Sequence, residues 1–321
     1  MNTIPTIFNE RKVAHTIVGG TVKKSDEEIP PFTVILLNRG GRYYRSAVFQ
    51  NLENAGFTSV ISIEMSNEPY DIENLSIRFP SVKFLVPLDK VTVGEMINTA
   101  MAETSSPWVF VLWNDIRISP SSITQRLINK ICEEGLLCTA PVLSSQKMEA
   151  LPVQMVPAIN VNNFQVEPMP CIREGSPSIY PFDYIGIYNR DKFIKLGGFD
   201  YTILNSYWQN LDFGFRAHLW GEKIVLSTSF RLAYDAEVPQ EDITPDASYR
   251  YFYLKNLAPV FRKDEAVLSR SRLLPFAFRS GMTFFDSISA FSRARKWVHL
   301  NRYRFVRDAA DIARSWEPYL Q

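Results

Sequence analysis

The sequence predicts an α/β fold, a mostly parallel central sheet flanked by helices, followed by a helical C-terminal extension. Two observations carry this. Short apolar, partly β-branched runs stop abruptly at polar residues: Phe32–Leu37 at Asn38-Arg39, Ser59–Ile63 at Glu64, and Val109–Trp113 at Asn114-Asp115. Runs of this kind suit strands buried on both faces. Between them lie stretches with apolar residues at helical spacing, and such alternation builds a parallel sheet covered by helices.

In chain order, residues 1–30 read as a polar lead-in closed by Pro30-Pro31. The strand Phe32–Leu37 stops at a turn containing Gly40-Gly41. A helix follows from about Tyr43 to Ala55, with Val48, Leu52 and Ala55 at helical spacing and Gly56 as its stop. Ser59–Ile63 and Val82–Val86 are the next strands, and a helix from Val93 to Thr104 leads into Val109–Trp113. Ser119–Cys138 predicts a helix with Ile123, Leu127, Ile128 and Ile131 on one face, and Thr139–Leu143 a strand. Residues 144–182 lose periodicity and contain Pro152, Pro157, Pro168, Pro170, Pro177 and Pro181. Such a stretch predicts a long excursion, folded across a substrate, rather than a domain boundary. Tyr184–Tyr188 reads as a strand, and Arg190–Leu196 as a short helix ended by Gly197-Gly198. Trp208–Trp220 reads as a helix ended by Gly221, and Glu222–Leu226 as a returning strand. The main domain is therefore expected over 31–240, with the helical extension over 241–321.

Open α/β sheets bind ligands just outside the carboxyl ends of their strands. Asp115 lies there, and its hard oxygens suit a divalent cation beside a diphosphate. The alternative is that Asp115 only turns the chain before Pro120. Asn38-Arg39, Glu64 and Asn114-Asp115 are expected to converge on one face.

With these residues in order, the segment 32–260 resembles a glycosyltransferase of the GT-A (Rossmann-like) fold, most similar to the family 2 inverting nucleotide-sugar transferases. Asn38-Arg39 resembles the first nucleotide-contacting loop, and Glu64 falls where the family has an acidic residue for the base or ribose. Gly94 and Asn98 match a glycine–asparagine pattern ahead of the metal motif, and Asn114-Asp115 its aspartate-rich end. Leu196-Gly197-Gly198-Phe199-Asp200 is similar to the family's glycine-glycine-phenylalanine-aspartate signature. Trp208–Arg216 resembles the acceptor-side helix.

The resemblance implies transfer of a sugar from a nucleotide-sugar donor to a glycan or lipid-linked acceptor, with inversion, aided by Mg²⁺ or Mn²⁺ held at Asp115. Donor contacts fall to Asn38, Arg39, Glu64, Gly94, Asn98, Asn114 and Asp115. Acceptor contacts fall to Gly197, Gly198, Trp208, Gln209 and Asn210. Two positions depart from the pattern: Trp113 replaces the first aspartate of the metal motif, and Gln209-Asn210 replace Glu-Asp, whose Asp is the usual base. An amide cannot take a proton, and losing a general base costs about 10²–10⁴ in rate. Asp212 is the carboxylate left on that helix and the candidate base, or else it pairs with Arg216 one turn on. Asp235 or Glu237 stands near the place of a metal-binding His. The second function class is a binding or scaffolding protein that has kept the fold and lost the base.

Apolar residues make up 46% of the 321, formal net charge is +1, and the three cysteines have no metal-ligand spacing. These features exclude a global polyelectrolyte partner and point to a reducing compartment. With no apolar run of about 18 residues and no signal-peptide core, a cytoplasmic protein is expected. Trp297, Leu300, Tyr303, Val306, Ala310 and Ala313 recur at helical spacing among many arginines. Such a stripe suits either the transferase core or an anionic membrane surface, giving a peripheral attachment at the inner face. No nucleic-acid motif accompanies the charge.

Overall fold

The structure, a computed structural model, describes residues 10–20, 32–39, 45–65, 71–119, 122–160 and 163–316. The Gly40-Gly41 turn and Tyr43 therefore lie outside the described residues, as does most of the lead-in. Four strands form the parallel half of the sheet: β2 (Phe32–Leu37), β3 (Val60–Ile63), β4 (Val82–Pro87) and β5 (Trp108–Trp113), in the spatial order β4-β3-β2-β5. β2, β3 and β5 are buried throughout, which is why their sequences are continuous apolar runs rather than alternating ones. Within the 1–30 segment, β1 (His15–Gly19) adds antiparallel to β4 at the sheet edge.

The chain reverses its direction of travel across the sheet between β2 and β5. After β2 it steps outward through β3 and β4, then returns to place β5 on the other side of β2. In open α/β sheets this reversal leaves a crevice at the carboxyl ends of the two strands. Leu37 pairs with Trp113, so Asn38-Arg39 and Asn114-Asp115 leave the sheet side by side.

Beyond β5 the sheet becomes mixed. β6 (Ile116–Arg117) pairs with the far end of β12 (Ile224–Tyr234), while β11 (Gly186–Asn189) runs antiparallel between β5 and β7 (Cys138–Ser144). The Pro-rich 144–182 segment is not a structureless excursion. It holds a hairpin of β8 (Gln154–Asn160) and β9 (Asn163–Met169) and a short strand β10 (Ser176–Pro177). Pro157 and Pro168 fit because a two-stranded ribbon has an outer edge that needs no N–H donor.

The helices follow the sequence expectation with tighter ends. α1 covers Arg45–Asn54, α2 Ile72–Arg78 and α3 Val93–Ala102, the last with a capping box between Thr92 and Glu95. α4 covers only Gln125–Glu134 of the expected 119–138, because Thr124 caps its start and Gly135 adopts the left-handed stop. α5 (Arg190–Leu196) ends at Gly197, and α6 (Ser206–Leu219) runs buried almost throughout.

The extension builds a second core against the outer side of α6. It comprises α7 (Ala247–Phe252), a π-helical turn over Tyr253–Leu257, a hairpin of β13 (Val260–Arg262) and β14 (Glu265–Val267), α8 (Leu273–Arg279), α9 (Phe284–Asn301) and α10 (Ala309–Trp316). The predicted stripe does not form one helical face. α9 stops at Asn301, and it buries Ala290, Phe291, Ala294 and Val298 while Leu300, Tyr303 and Val306 stay exposed. Among the described residues no helix is long and apolar enough to cross a membrane.

Candidate functional site

The strand ends meet. Asn114 N–H donates to Leu37 O at 2.9 Å, and the Arg39 N–H reaches Asn114 Oδ1 at 3.3 Å. Asn38 Nδ2 donates to Ile63 O (2.7 Å) and Glu64 Oε1 (3.2 Å), tying the ends of β2 and β3 together. Glu64 is buried, with Arg45 at 2.8 Å and Ser62 Oγ at 2.6 Å. Asn38, Arg39, Glu64, Asn114 and Asp115 thus form one connected cluster at the sheet reversal.

At its centre Arg39 lies between two carboxylates. Its Nε is 2.9 Å from Asp115 Oδ2 and one terminal nitrogen is 3.3 Å from Asp115 Oδ1. The other edge meets both oxygens of Asp183, one at 3.2 Å. The guanidinium also stacks 4.1 Å from the Trp113 ring centre, a favourable cation–π distance. Trp113 Nε1 donates to Asp183 O at 2.9 Å, and Tyr234 OH donates to Asp183 Oδ2 at 2.8 Å.

Burial pushes both the Asp115 and Asp183 carboxyls up, against the downward pull of Arg39. Burial alone would lower the guanidinium, but Asp183 and then Asp115 outweigh it and hold it protonated. Asp183 and Tyr184 both have left-handed backbone (φ 54° and 63°), a conformation costing about 1–3 kcal/mol each for non-glycine residues. That local cost aims the Asp183 carboxylate at Arg39. No motif marked Asp183 in the sequence. The available signal was an acidic residue between a proline and a buried strand.

Asp115, the expected Mg²⁺ or Mn²⁺ ligand, faces this arginine, and its backbone O accepts Asp235 N–H at 2.8 Å. Among the described residues there is no group of three or more His, Cys, Asp or Glu able to hold a metal ion. A cleft of about 770 Å³ opens beyond β6, lined by Arg117, Ser144, Met148, Arg231 and Ala233.

The expected acceptor-side residues lie deeper, and two residues expected on the donor side, Gly94 and Asn98, pack with them rather than with the Arg39 cluster. Gly94 N–H donates to Gln209 Oε1 at 2.8 Å, and an added Cβ at Gly94 would sit 2.4 Å from Phe199 Cβ. Asn98 clasps the Phe199 backbone, donating to its O at 2.8 Å and accepting its N–H at 2.9 Å. Gly197 closes α5 with φ 99°, and the Gly198 carbonyl accepts from Arg216. Trp208 packs among Tyr207, Tyr249 and Phe252, its Nε1 donating to Thr244 O at 2.9 Å. Asn210 donates to Pro181 O at 2.8 Å.

Asp212 is fully buried. Its oxygens meet Arg216 at 3.2 Å, Lys255 at 3.3 Å and Asn256 Nδ2 at 2.7 Å. Lys255 also contacts Asp200 and lies 4.4 Å from the Trp297 ring centre. The π-helical turn turns Lys255 and Asn256 inward together, so the extension is fastened to α6 by this charged cluster. His218 is buried too, its Nε2 2.9 Å from Ser178 O, and burial brings its pKa down to about 4.

The described architecture matches solved structures across most of its length. GalNAc-T7 with UDP, GalNAc and Mn²⁺ superposes at a TM-score of 0.55 and 12% identity, over 84% of this chain and 57% of that one. The fold is GT-A. This chain therefore spans little more than half of the GalNAc-T7 chain. Weaker GT-A-fold likenesses include S. aureus TarS 1-349 (TM-score 0.49, 11% identity, 82% of this chain and 70% of that one). Another is the mannosyltransferase PcManGT from Pyrobaculum calidifontis with GDP-Man and Mn²⁺ (0.45, 10%, 91% and 74%). No protein-family model and no curated protein matches the sequence. In the GT-A frame, the Arg39–Asp115 cluster sits at the sheet reversal, while Gln209, Asn210 and Asp212 of α6 are taken up in internal contacts.

Proposed function

We propose that this chain is a glycosyltransferase that takes a nucleotide-sugar donor at the ends of β2, β3 and β5. One observation carries the reading: Asn38 hydrogen-bonded to Glu64, and Arg39 to Asn114 and Asp115, bring residues dispersed over 78 positions of sequence together through the Asn38-Arg39 peptide at the reversal of a GT-A sheet. The Asn38–Glu64 pair offers polar edges to a base or ribose. Arg39 and Arg117 offer positive charge to a diphosphate, since guanidinium N–H forks match phosphate oxygens. The acceptor, a glycan or lipid-linked glycan, would enter from the 770 Å³ cleft side. Family 2 membership and inversion of configuration belong to this proposal.

The acceptor hydroxyl needs a base, and Asp212 is enclosed among its cations. The candidate is instead Glu241, which lies near enough to Asp183, beside the Arg39 cluster, to feel its charge. Burial, reinforced by Asp183, raises its pKa to about 7 against the pull of Tyr180, whose OH donates to it at 2.7 Å. A carboxylate poised near neutrality is suited to general-base work. The second reading, binding without transfer, draws support from Gln209, Asn210 and Asp212 being spent on internal contacts.

The extension supports attachment to an anionic bilayer. Between Arg270 and Arg304 the chain has eight Lys or Arg and one acidic residue, Asp286. In the same region Phe278 and Phe285 are 86% and 83% exposed, beside exposed Leu274 and Phe284. Aromatic side chains amid arginines fit the lipid interface, which supports a reading of peripheral attachment at the cytoplasmic face, near lipid-linked acceptors.

Calorimetric titration with UDP, GDP and dTDP tests the donor reading. Binding of one of them, weakened at least about tenfold by Asn38→Ala, is expected. Failure of all three to bind would remove it. Product formation from the matching nucleotide sugar then separates transfer from binding alone.

A further inference from the structure

We propose that the Arg39 guanidinium is the resident cation of this site. It stands where a divalent ion would bridge Asp115 to a diphosphate, so that donor binding is independent of added metal. The inference rests on the nucleotide-sugar reading for the diphosphate, but not for the arginine itself.

The donor set does not fit a hard divalent ion. Such an ion wants about six oxygen ligands in near-octahedral or looser geometry. Here both oxygens of Asp115 face Arg39, and both oxygens of Asp183 face it from the other edge. Among the described residues the guanidinium is also flanked by the Trp113 ring and by Tyr234, whose hydroxyl proton is already given to Asp183. An indole face repels nothing cationic, yet it supplies no ligand oxygen. It does suit a planar, delocalised, weakly hydrated guanidinium, which stacks and hydrogen-bonds at once.

The position explains the departure at Trp113. A tryptophan in place of the motif's first aspartate is a loss if an ion must be held. It is a gain if the cation is an arginine that needs a flat surface beneath it. Asp183, on left-handed backbone, then replaces the missing carboxylate as a partner for Arg39. One quarter of the arginine side chain remains exposed, which leaves it within reach of an incoming phosphate oxygen.

The test uses the full chain and two readouts besides turnover. Mn²⁺ is titrated while the free-ion paramagnetic resonance signal is followed, and UDP binding is measured by calorimetry in EDTA and in Mn²⁺. Expected are no stoichiometric Mn²⁺ uptake, UDP affinities agreeing within about twofold, and UDP binding weakened about tenfold by Arg39→Met in either condition, because the diphosphate would then face Asp115 and Asp183 with no cation between them. One Mn²⁺ per wild-type chain, lost in Asp115→Asn, would overturn the proposal. So would UDP binding weakened about tenfold or more by EDTA, or an Arg39→Met chain that folds and binds UDP as tightly as the wild type. Should Arg39→Met not fold, the wild-type titration decides. If UDP binds under neither condition the donor reading falls, and the Mn²⁺ titration still decides Arg39.

Discussion

The side-chain carbonyl of Gln209 accepts the backbone N–H of Gly94 at 2.8 Å, joining the start of α3 to α6 across 115 positions of sequence. Its amide nitrogen donates to Thr92 Oγ1 and to Asp200 O, both at 2.9 Å. A buried amide serves because the place demands one acceptor and two donors at once. Restoring the acidic residue with Gln209→Glu would press a carboxylate oxygen against the Asp200 carbonyl. The expected outcome is a loss of about 1–3 kcal/mol in denaturant unfolding and no gain in transfer. A stable Gln209→Glu chain with raised turnover would show that the position still belongs to the chemistry.

Asp212 balances Arg216 and Lys255 inside the protein, with Asp200 as the second acid. Removing one member of such a cluster leaves charge without compensation. Asp212→Ala should cost about 3–5 kcal/mol, seen as a lower unfolding midpoint. Donor affinity of the folded fraction should not change. A base would behave otherwise, losing kcat while stability stayed intact.

Burial and Asp183 raise the Glu241 pKa above its unfolded value, to about 7. The native state therefore binds more protons than the unfolded one between about pH 4.5 and 7, so this group makes stability fall as pH rises through that window. Its role as base adds the opposite signature in rate. The kcat/KM profile should rise with one ionisation near pH 7, and Glu241→Gln should abolish that limb while lowering the rate by about 10²–10⁴. An unchanged profile in Glu241→Gln would end the assignment.

Phe278 and Phe285 stand out from α8 and the start of α9 beside Arg279. Exchanging both for Ser removes apolar insertion while leaving the charge. Sedimentation with phosphatidylserine-containing vesicles should then drop by about tenfold in partition, and added salt should weaken what remains. Vesicle binding that survives the exchange, or self-association of the wild type that it abolishes, would assign the patch to another contact.

The sequence by itself determined the parallel half of the sheet. A strand buried on both faces must be a continuous apolar run, and the polar residue that ends it lies at the sheet's ligand-binding edge. Phe32–Leu37, Ser59–Ile63 and Val109–Trp113, with Asn38, Arg39, Glu64 and Asp115 behind them, were legible for that reason. So were the short helix stopped by Gly197 and the pairing of Asp212 with Arg216, both of which depend on neighbours within one helical turn.

Tertiary structure decided what each polar residue faces. Asp183 reaches Arg39 across 144 positions and Lys255 reaches Asp212 across 43, distances over which no periodicity or spacing rule operates. The hairpin of residues 154–169 was likewise hidden, since its prolines are compatible with strand only because that ribbon has an outer edge. Whether a carboxylate holds a metal, takes a proton or neutralises an arginine is set by the charge that folding brings beside it, and local sequence carries no record of that neighbour.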